Sequence, residues 1–151
     1  DEHGGTWKLI CIGNGELQCL LENQEMVDLH GFMDQQSLID YVSQAGVFVL
    51  PSRHDQWGVV VHEFAKAGMP LLLSKNVGAK DMFLIENYNG LSYSDNCPEK
   101  LALCMKHIGT LSENNLRMMG ERSMELASKI SPETSAANFL SLVESVGETG
   151  Q

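Results

Sequence analysis

Two carboxylates stand eight residues apart in the stretch from Pro51 to Pro70, PSRHDQWGVVVHEFAKAGMP. They are Asp55 and Glu63, with Gly58 between them. An apolar run ends just before the stretch, which predicts that Asp55 lies in a loop after a buried strand and that Gly58 opens the following helix. Glu63 would then lie one to two turns inside that helix. In open α/β sheets such loops and helix N-termini meet at the carboxyl ends of the strands, where ligands bind.

This arrangement suits a ligand that carries both phosphate and hydroxyl groups. Backbone amides near Gly58 can hold a phosphate, because a helix N-terminus is partially positive and glycine allows close approach. Carboxylates do not bind phosphate, but they accept strong hydrogen bonds from hydroxyl groups. A nucleotide sugar has hydroxyls on either side of its phosphates, so the pattern indicates a nucleotide-sugar site. Solvated acids around an ordinary helix start fit the same residues equally well.

His54 and His62 flank the two acids and raise the alternative of a metal site. Positions 62 and 63 of a helix point in different directions, and no second histidine lies three or four residues away, so the spacing disfavours a metal. Arg53, Lys75 and Lys80 are candidate contacts for a phosphate, although loop cations are more often solvent-exposed.

Strand and helix patterns alternate along the chain, which predicts an α/β fold with a Rossmann-like parallel sheet of about five strands, covered by helices. Strands are predicted over residues 7–12, 26–30, 47–50, 71–74 and 91–94. Helices are predicted over residues 16–22, 34–45, 58–67, 80–85, 99–111, 113–130 and 132–146. Only helices follow Pro98, and we expect one domain over residues 1–146 with a flexible tail over 147–151.

Composition narrows the class of protein. The chain has 151 residues, enough for one core, and a net charge of −10, which repels nucleic acid and anionic lipid at long range. No apolar run approaches the length needed to span a bilayer. The four cysteines form no CxxC pair, which favours free thiols in a reducing, cytoplasmic compartment. We expect Cys11 and Cys104 to be buried.

The stretch from Pro51 to Pro70 resembles the signature of a large family of retaining glycosyltransferases, group 1 or family 4. The family includes sucrose-phosphate synthases and many bacterial polysaccharide transferases. The positions that match its pattern are Pro51, Ser52, Asp55, Trp57, Gly58, Glu63, Ala67, Gly68 and Pro70. Asp55 stands where glutamate is usual, and Phe64 stands where alanine is common. Residues 7–17, 27–52 and 77–93 resemble other family segments in the same order, so the likeness covers nearly the whole chain.

The resemblance implies the donor-binding half of a two-domain GT-B enzyme. In that arrangement Glu63 would hold the ribose hydroxyls and Asp55 the hydroxyls of the donor sugar. Gly58 and Val59 would offer amides to the sugar and the diphosphate, and Val60 would line the nucleotide side.

Three more residues are implicated by the resemblance alone. Gly13 would border the diphosphate, and Gly31 and Phe32 would lie near the nucleotide base. The family also has an Arg and Lys pair that neutralises the diphosphate, on a segment preceding the one matched by Trp7, and this sequence starts at Asp1, after that segment. We therefore expect weak ligand binding and no turnover by the isolated chain.

The activity implied is transfer of a hexose-type sugar from a UDP- or GDP-sugar to an acceptor hydroxyl, with retention of configuration, in polysaccharide or glycolipid synthesis. No metal or other cofactor is expected, and the acceptor site would belong to a separate domain. Peripheral membrane association of a longer protein stays open. Two alternatives remain, a sugar-nucleotide epimerase of the same architecture and a non-catalytic module that binds nucleotide sugars.

Overall fold

The described residues include five parallel strands, which form two separate hydrogen-bonded ladders. The structure, a computed structural model, describes residues 7–94 and 97–148. One ladder pairs β1 with β2, and the other has the order β3, β4, β5. The strand bounds are Leu9–Ile12 for β1, Val27–His30 for β2, Phe48–Leu50 for β3, Leu71–Ser74 for β4 and Gly90–Tyr93 for β5. The predicted α/β class is confirmed, but over residues 7–94 no backbone ladder joins the two groups into one continuous sheet.

A side chain, rather than a backbone ladder, links the two groups near the start of β3. The indole ring of Trp7 lies so close to Gly46 that a Cβ built at position 46 would be 2.8 Å from a ring carbon. This contact joins the chain just before β1 to the turn before β3.

Within the described ranges, six α-helices lie between and after the strands. Their bounds are Gln35–Val42 for α1, Val59–Lys66 for α2, Lys80–Phe83 for α3, Pro98–Gly109 for α4, Glu113–Ser128 for α5 and Pro132–Glu148 for α6. The helix predicted over residues 16–22 forms only a single 3-10 turn, Gln18–Leu20. Helix α6 extends two residues into the predicted tail, and residues 149–151 lie outside the described part of the chain. None of the described helices combines the length and apolarity needed to cross a membrane.

The core lies on both faces of β4, whose four residues are all buried. Leu71 and Leu73 pack against α2, α3 and α5, and Leu72 packs on the other side against β5 and α4. A strand that is apolar without alternation is typical of a parallel sheet covered on both faces. The strand predicted from LLLS is confirmed, and the structure places it at the centre of its ladder.

A buried amide ties the chain before β5 to helix α5. The side chain of Asn89 accepts a hydrogen bond from the Ile85 amide (2.7 Å) and donates to the Phe83 carbonyl (2.8 Å) and the Ser123 hydroxyl (3.0 Å). The turn that leads into Gly90 is therefore held by a side chain, and Asn87 within it has left-handed backbone, at φ 60°. Gly90 is needed because a Cβ there would lie 2.0 Å from the Leu71 carbonyl oxygen.

Burial is unevenly distributed along the chain. Residues 7–57 include no buried residue, and Ile39, on α1, is 55% exposed. Cys11 and Cys104 are half-buried rather than buried. Partial burial raises the pKa of both thiols, and the charge of Glu86 raises that of Cys104 further.

Candidate functional site

Asp55 lies in the loop after β3, and the loop after β4 holds it in place. The Asp55 amide donates to the Asn76 carbonyl (3.2 Å), and the Asp55 carbonyl accepts from the Gly78 amide (3.0 Å). The Ala79 amide donates to the Trp57 carbonyl (2.6 Å). Two loops at the carboxyl ends of neighbouring strands are thus joined backbone to backbone, as the strand order requires.

The Asp55 carboxylate is half-buried and has one oxygen engaged. Oδ1 accepts a hydrogen bond from the Trp57 amide at 3.1 Å. Oδ2 faces Gly58, since a Cβ at position 58 would lie 3.3 Å from it. The first oxygen fixes the carboxylate to the loop, and the second has no hydrogen-bond donor among the described residues.

Gly58 precedes α2 with left-handed backbone, at φ +80°. A Cβ there would also lie 3.1 Å from the Val77 side chain, so both conformation and space favour glycine. No described group accepts a hydrogen bond from the amides of Gly58, Val59 or Val60. The first amides of a helix have no partner inside it and carry its positive partial charge, so these three can bind an anion.

Glu63 projects from the exposed side of α2. It lies four residues beyond Val59, about 6 Å along the helix axis. Positions 59, 60 and 63 fall on neighbouring parts of the helix surface, and all three are exposed, whereas Val61 and Ala65 point into the core. The carboxylate therefore lies on the surface that also carries Val59 and Val60, about one turn from the free amides.

His62 points away from the acids. Its Nε2 lies 3.0 Å from the Ala127 carbonyl oxygen, and its ring stacks on Phe83 with centroids 4.9 Å apart. His54 is exposed and makes no hydrogen bond or ion pair with the described residues. Over residues 7–94 and 97–148 no group of three or more histidine, cysteine, aspartate or glutamate side chains is arranged as a metal site.

Gly13, Gly31 and Phe32 lie at the carboxyl ends of β1 and β2. The Gly13 amide donates to the His30 carbonyl (3.0 Å), so it is not free for a ligand. Gly31 lies beside the Asn14 side chain, and Phe32 is 84% exposed. In the described part of the chain, no hydrogen bond, ion pair or ring contact joins these three residues to Asp55, Gly58 or Glu63.

The candidate cations are placed differently from one another. Lys80 pairs with its neighbour Asp81, whereas Arg53 is exposed and contributes only its carbonyl, which accepts from the Asn76 side chain (2.8 Å). Lys75 lines a shallow cavity of about 250 Å³ together with Lys100, beside β5. None of these three candidate cations forms an ion pair with Asp55 or Glu63.

Gly78 is a site residue that sequence reasoning did not identify. A Cβ at this position would lie 2.1 Å from the Gln56 carbonyl oxygen, so any other residue would push apart the two loops that hold Asp55. The sequence signal is the glycine shortly after β4, but its role depends on which loops become neighbours. The Asn76 side chain also joins these two loops, because it donates a hydrogen bond to the Arg53 carbonyl.

Comparison with known proteins adds to this geometry. A family model described as glycosyl transferases group 1 matches residues 3–125. A relative, the 2-deoxystreptamine N-acetyl-D-glucosaminyltransferase of Niallia circulans, is 29% identical over 86 residues, which are 52% of this chain and 22% of that enzyme.

Solved structures of glycosyltransferases share the fold. Sucrose-phosphate synthase from Thermosynechococcus elongatus matches 95% of this chain and 39% of its own length, with a TM-score of 0.78 and 22% identity. HepE from Anabaena, solved with UDP and glucose, matches 92% of this chain and 40% of its own length, with a TM-score of 0.73 and 15% identity. The chain thus spans well under half the length of each of these three proteins.

Proposed function

Because the chain belongs to the group 1 glycosyl transferases, we propose that it is the donor-binding part of a glycosyltransferase that moves a hexose-type sugar from a UDP- or GDP-sugar to an acceptor hydroxyl. One observation carries the proposal. The free amides of Gly58, Val59 and Val60 lie between two carboxylates, Asp55 on the preceding loop and Glu63 on the same helix. An anion-binding group flanked by hydroxyl acceptors matches the chemistry of a nucleotide sugar.

Each group has a distinct role in the proposed complex. The free amides receive a phosphate or sugar oxygen at the start of α2, where the helix dipole stabilises negative charge. As the bond to the sugar breaks, charge develops on the diphosphate, and fixed dipoles already aimed at it stabilise the leaving group. Glu63 accepts hydrogen bonds from the ribose hydroxyls, and Oδ2 of Asp55 accepts from the donor sugar.

The remaining parts of the proposal rest on the family resemblance. They are retention of configuration, chemistry without a metal or other cofactor, an acceptor site on another domain, and a cytoplasmic role in polysaccharide or glycolipid synthesis. Gly13, Gly31 and Phe32 would contact the diphosphate and base ends of the donor. The Gly13 amide is already used by His30, so its contribution would be room for the ligand rather than a hydrogen bond.

Titration of the 15N-labelled chain with UDP-glucose, GDP-mannose and ADP-glucose tests the proposal. We expect saturable NMR shifts at the Gly58, Val59 and Val60 amides with at least one of these donors. Glu63→Gln should weaken binding of both the nucleotide sugar and its free nucleoside diphosphate by about tenfold or more, since hydrogen bonds to charged groups are among the stronger ones.

Asp55→Asn separates the two roles. It should weaken binding of the nucleotide sugar and leave binding of the free nucleoside diphosphate unchanged, because Asp55 is assigned to the sugar. Glu113→Gln, on the exposed first turn of α5, is the matched control and should bind as the parent chain does. The proposal is wrong if no donor gives saturable shifts, or if Glu63→Gln binds as tightly as Glu113→Gln.

A further inference from the structure

A second site lies at the opposite end of the strands of the β3, β4, β5 ladder. A cavity of about 320 Å³ opens between α4, α5 and the segment that enters β5. Asp55 follows the carboxyl end of β3, whereas Asn87, which borders the cavity, precedes the amino end of β5. Because the strands are parallel, Asp55 and the cavity lie at opposite ends of the strands. The volume is at the lower end of the range of small-molecule sites, about 300–1,000 Å³.

The apolar lining of this cavity consists of Leu91, Leu111, Met118 and Met119. Leu91 and Met119 are each 7% exposed and form the deepest part, whereas Met118, 38% exposed, lies at the rim. Methionine side chains adapt to the shape of an apolar ligand, so this lining suits a short hydrocarbon chain.

Arg122 supplies a fixed positive charge at the wall of the cavity. Its guanidinium carbon lies 4.3 Å from the centre of the Tyr88 ring, and Nη1 donates to the Tyr88 carbonyl at 3.0 Å. No carboxylate in the described ranges pairs with it, whereas Arg117, on the same helix, is paired with Glu121. Arg122 is therefore held in position while most of its N–H donors remain unused.

Polar side chains complete the rim. The side chains of Asn87, Asn115 and His107 border the cavity, and none of them hydrogen-bonds to another described residue. Each can donate an N–H to an anion beside Arg122. A fixed cation with free donors, beside an apolar lining, calls for a ligand with an anionic head and an apolar body.

We propose that this cavity binds a small organic carboxylate, with the carboxylate on Arg122 and the hydrocarbon chain over Met118 and Met119. The planar guanidinium matches a carboxylate in shape. A single arginine balances one negative charge, and a dianion would face the net charge of −10 of the whole chain. The site shares no residue with the proposed donor site, so its ligand is separate from the sugar donor.

The test uses hexanoate as the probe and hexanamide as its neutral match. With [methyl-13C]methionine in the full chain, hexanoate should shift the Met118 and Met119 methyl signals saturably, and hexanamide should bind at least tenfold more weakly. Arg122→Gln should remove this preference for the charged probe. Arg117→Gln removes a cation from the same helix outside the cavity and should leave the preference unchanged.

A cavity-filling variant covers the case in which Arg122→Gln disturbs the loop at Tyr88. Met118→Trp keeps Arg122 but fills the cavity. It should abolish the shifts that hexanoate causes at the Met119 methyl signal, while the dispersion of the amide spectrum shows that the protein is still folded. Equal binding of hexanoate and hexanamide, shifts that rise linearly without saturation, or a Met118→Trp variant that still binds hexanoate would each overturn the proposal. These outcomes leave the sugar-donor proposal unaffected, since that site is titrated separately.

Discussion

Gly58 joins the two functions of the loop at the candidate site, since its backbone both turns the chain into α2 and presents free amides. A φ of +80° is costly for any residue with a Cβ, by about 1–2 kcal/mol. The Asp55 carboxylate and Val77 also close the space that a Cβ would need. The geometry of the anion site therefore depends on the absence of a side chain at this position.

Replacing Gly58 with alanine should lower the free energy of unfolding by about 1–2 kcal/mol. It should also weaken the binding of any anion to the amides at the start of α2. Gly109→Ala is the matched control, because a Cβ there meets nothing within 4 Å and the backbone is at negative φ. It should leave stability unchanged or slightly higher. Urea denaturation of both variants measures the difference, and equal stability would show that the left-handed turn relaxes freely.

Asp34, the N-cap of α1, gives a pH-dependent contribution to stability. The Ser37 amide donates to Oδ1 of Asp34 at 2.8 Å, and this bond, with help from the Ser37 hydroxyl, lowers the Asp34 pKa. A folded-state pKa below the unfolded value means that the stabilisation is present above about pH 3.9 and is lost as the pH falls through the folded-state pKa.

Asp34→Asn keeps a capping oxygen but cannot ionise. Near neutral pH, the free energy of unfolding should therefore be higher for the parent chain than for Asp34→Asn. The difference should shrink as the pH falls below about 4. Urea denaturation of both proteins across that range checks it. A difference that stays constant with pH would mean that ionisation of Asp34 does not contribute.

At the residue scale, the sequence predicts which groups stand near one another along the chain but not which are already occupied. Asp55, Gly58 and Glu63 fall where the motif predicts because they lie on one loop and one helix. The engagement of Asp55 Oδ1 by Trp57 and of the Gly13 amide by His30 depends on the exact path of each loop. The brace at Gly78 depends on a strand pairing between distant segments.

At the scale of elements, β4 organises the second ladder. It is the one described strand with a hydrogen-bonded neighbour on each side, and it is buried on both faces. Its residues separate two apolar clusters, so Leu72 faces a different set of side chains from Leu71 and Leu73. Loss of volume on either face should therefore be costly.

Leu72→Ala should destabilise the chain by about 2–5 kcal/mol, the usual cost of removing a buried leucine side chain. Leu103, on α4, is 65% exposed, and Leu103→Ala should change stability by less than about 0.5 kcal/mol. Thermal or urea unfolding of the pair measures both. Similar losses in the two variants would contradict the placement of the core at β4.

The elements themselves were largely predictable, because apolar periodicity is a local property of the sequence. The predicted strand over residues 71–74 is confirmed residue for residue, and the helix predicted over residues 34–45 forms as α1, with Asp34 as its N-cap and its end at Val42. The division into two ladders was not predicted, since all five strands show similar apolar patterns. It depends on pairing between segments that are distant in the sequence.

At the scale of the whole molecule, packing is concentrated in the middle of the described chain. Among the residues whose burial is described, 7–94 and 97–141, every buried one lies between Gly58 and Ala127, and the segment over residues 7–57 has only half-buried and exposed residues. Regions with few buried apolar contacts open at low free energy. Stability should therefore differ between the two ladders.

Hydrogen exchange followed by mass spectrometry should reveal that difference. Amides of β1, β2 and α1 should exchange at least about 100-fold faster than those of β4, because local opening of the first ladder requires little buried surface to be exposed. Uniform protection of both ladders would show that they open as one cooperative unit. Addition of a tight ligand spanning both would be expected to reduce the difference.

The separation of the two ladders also sets how the molecule responds to mechanical force. Tension applied through the two ends has no hydrogen-bonded path from β1 and β2 to β3, β4 and β5, because no ladder connects them within the described residues. In a single-molecule pulling experiment, the first ladder should extend at low force as a separate event. The second should then rupture at a higher force, since its bonds are shielded by a buried central strand.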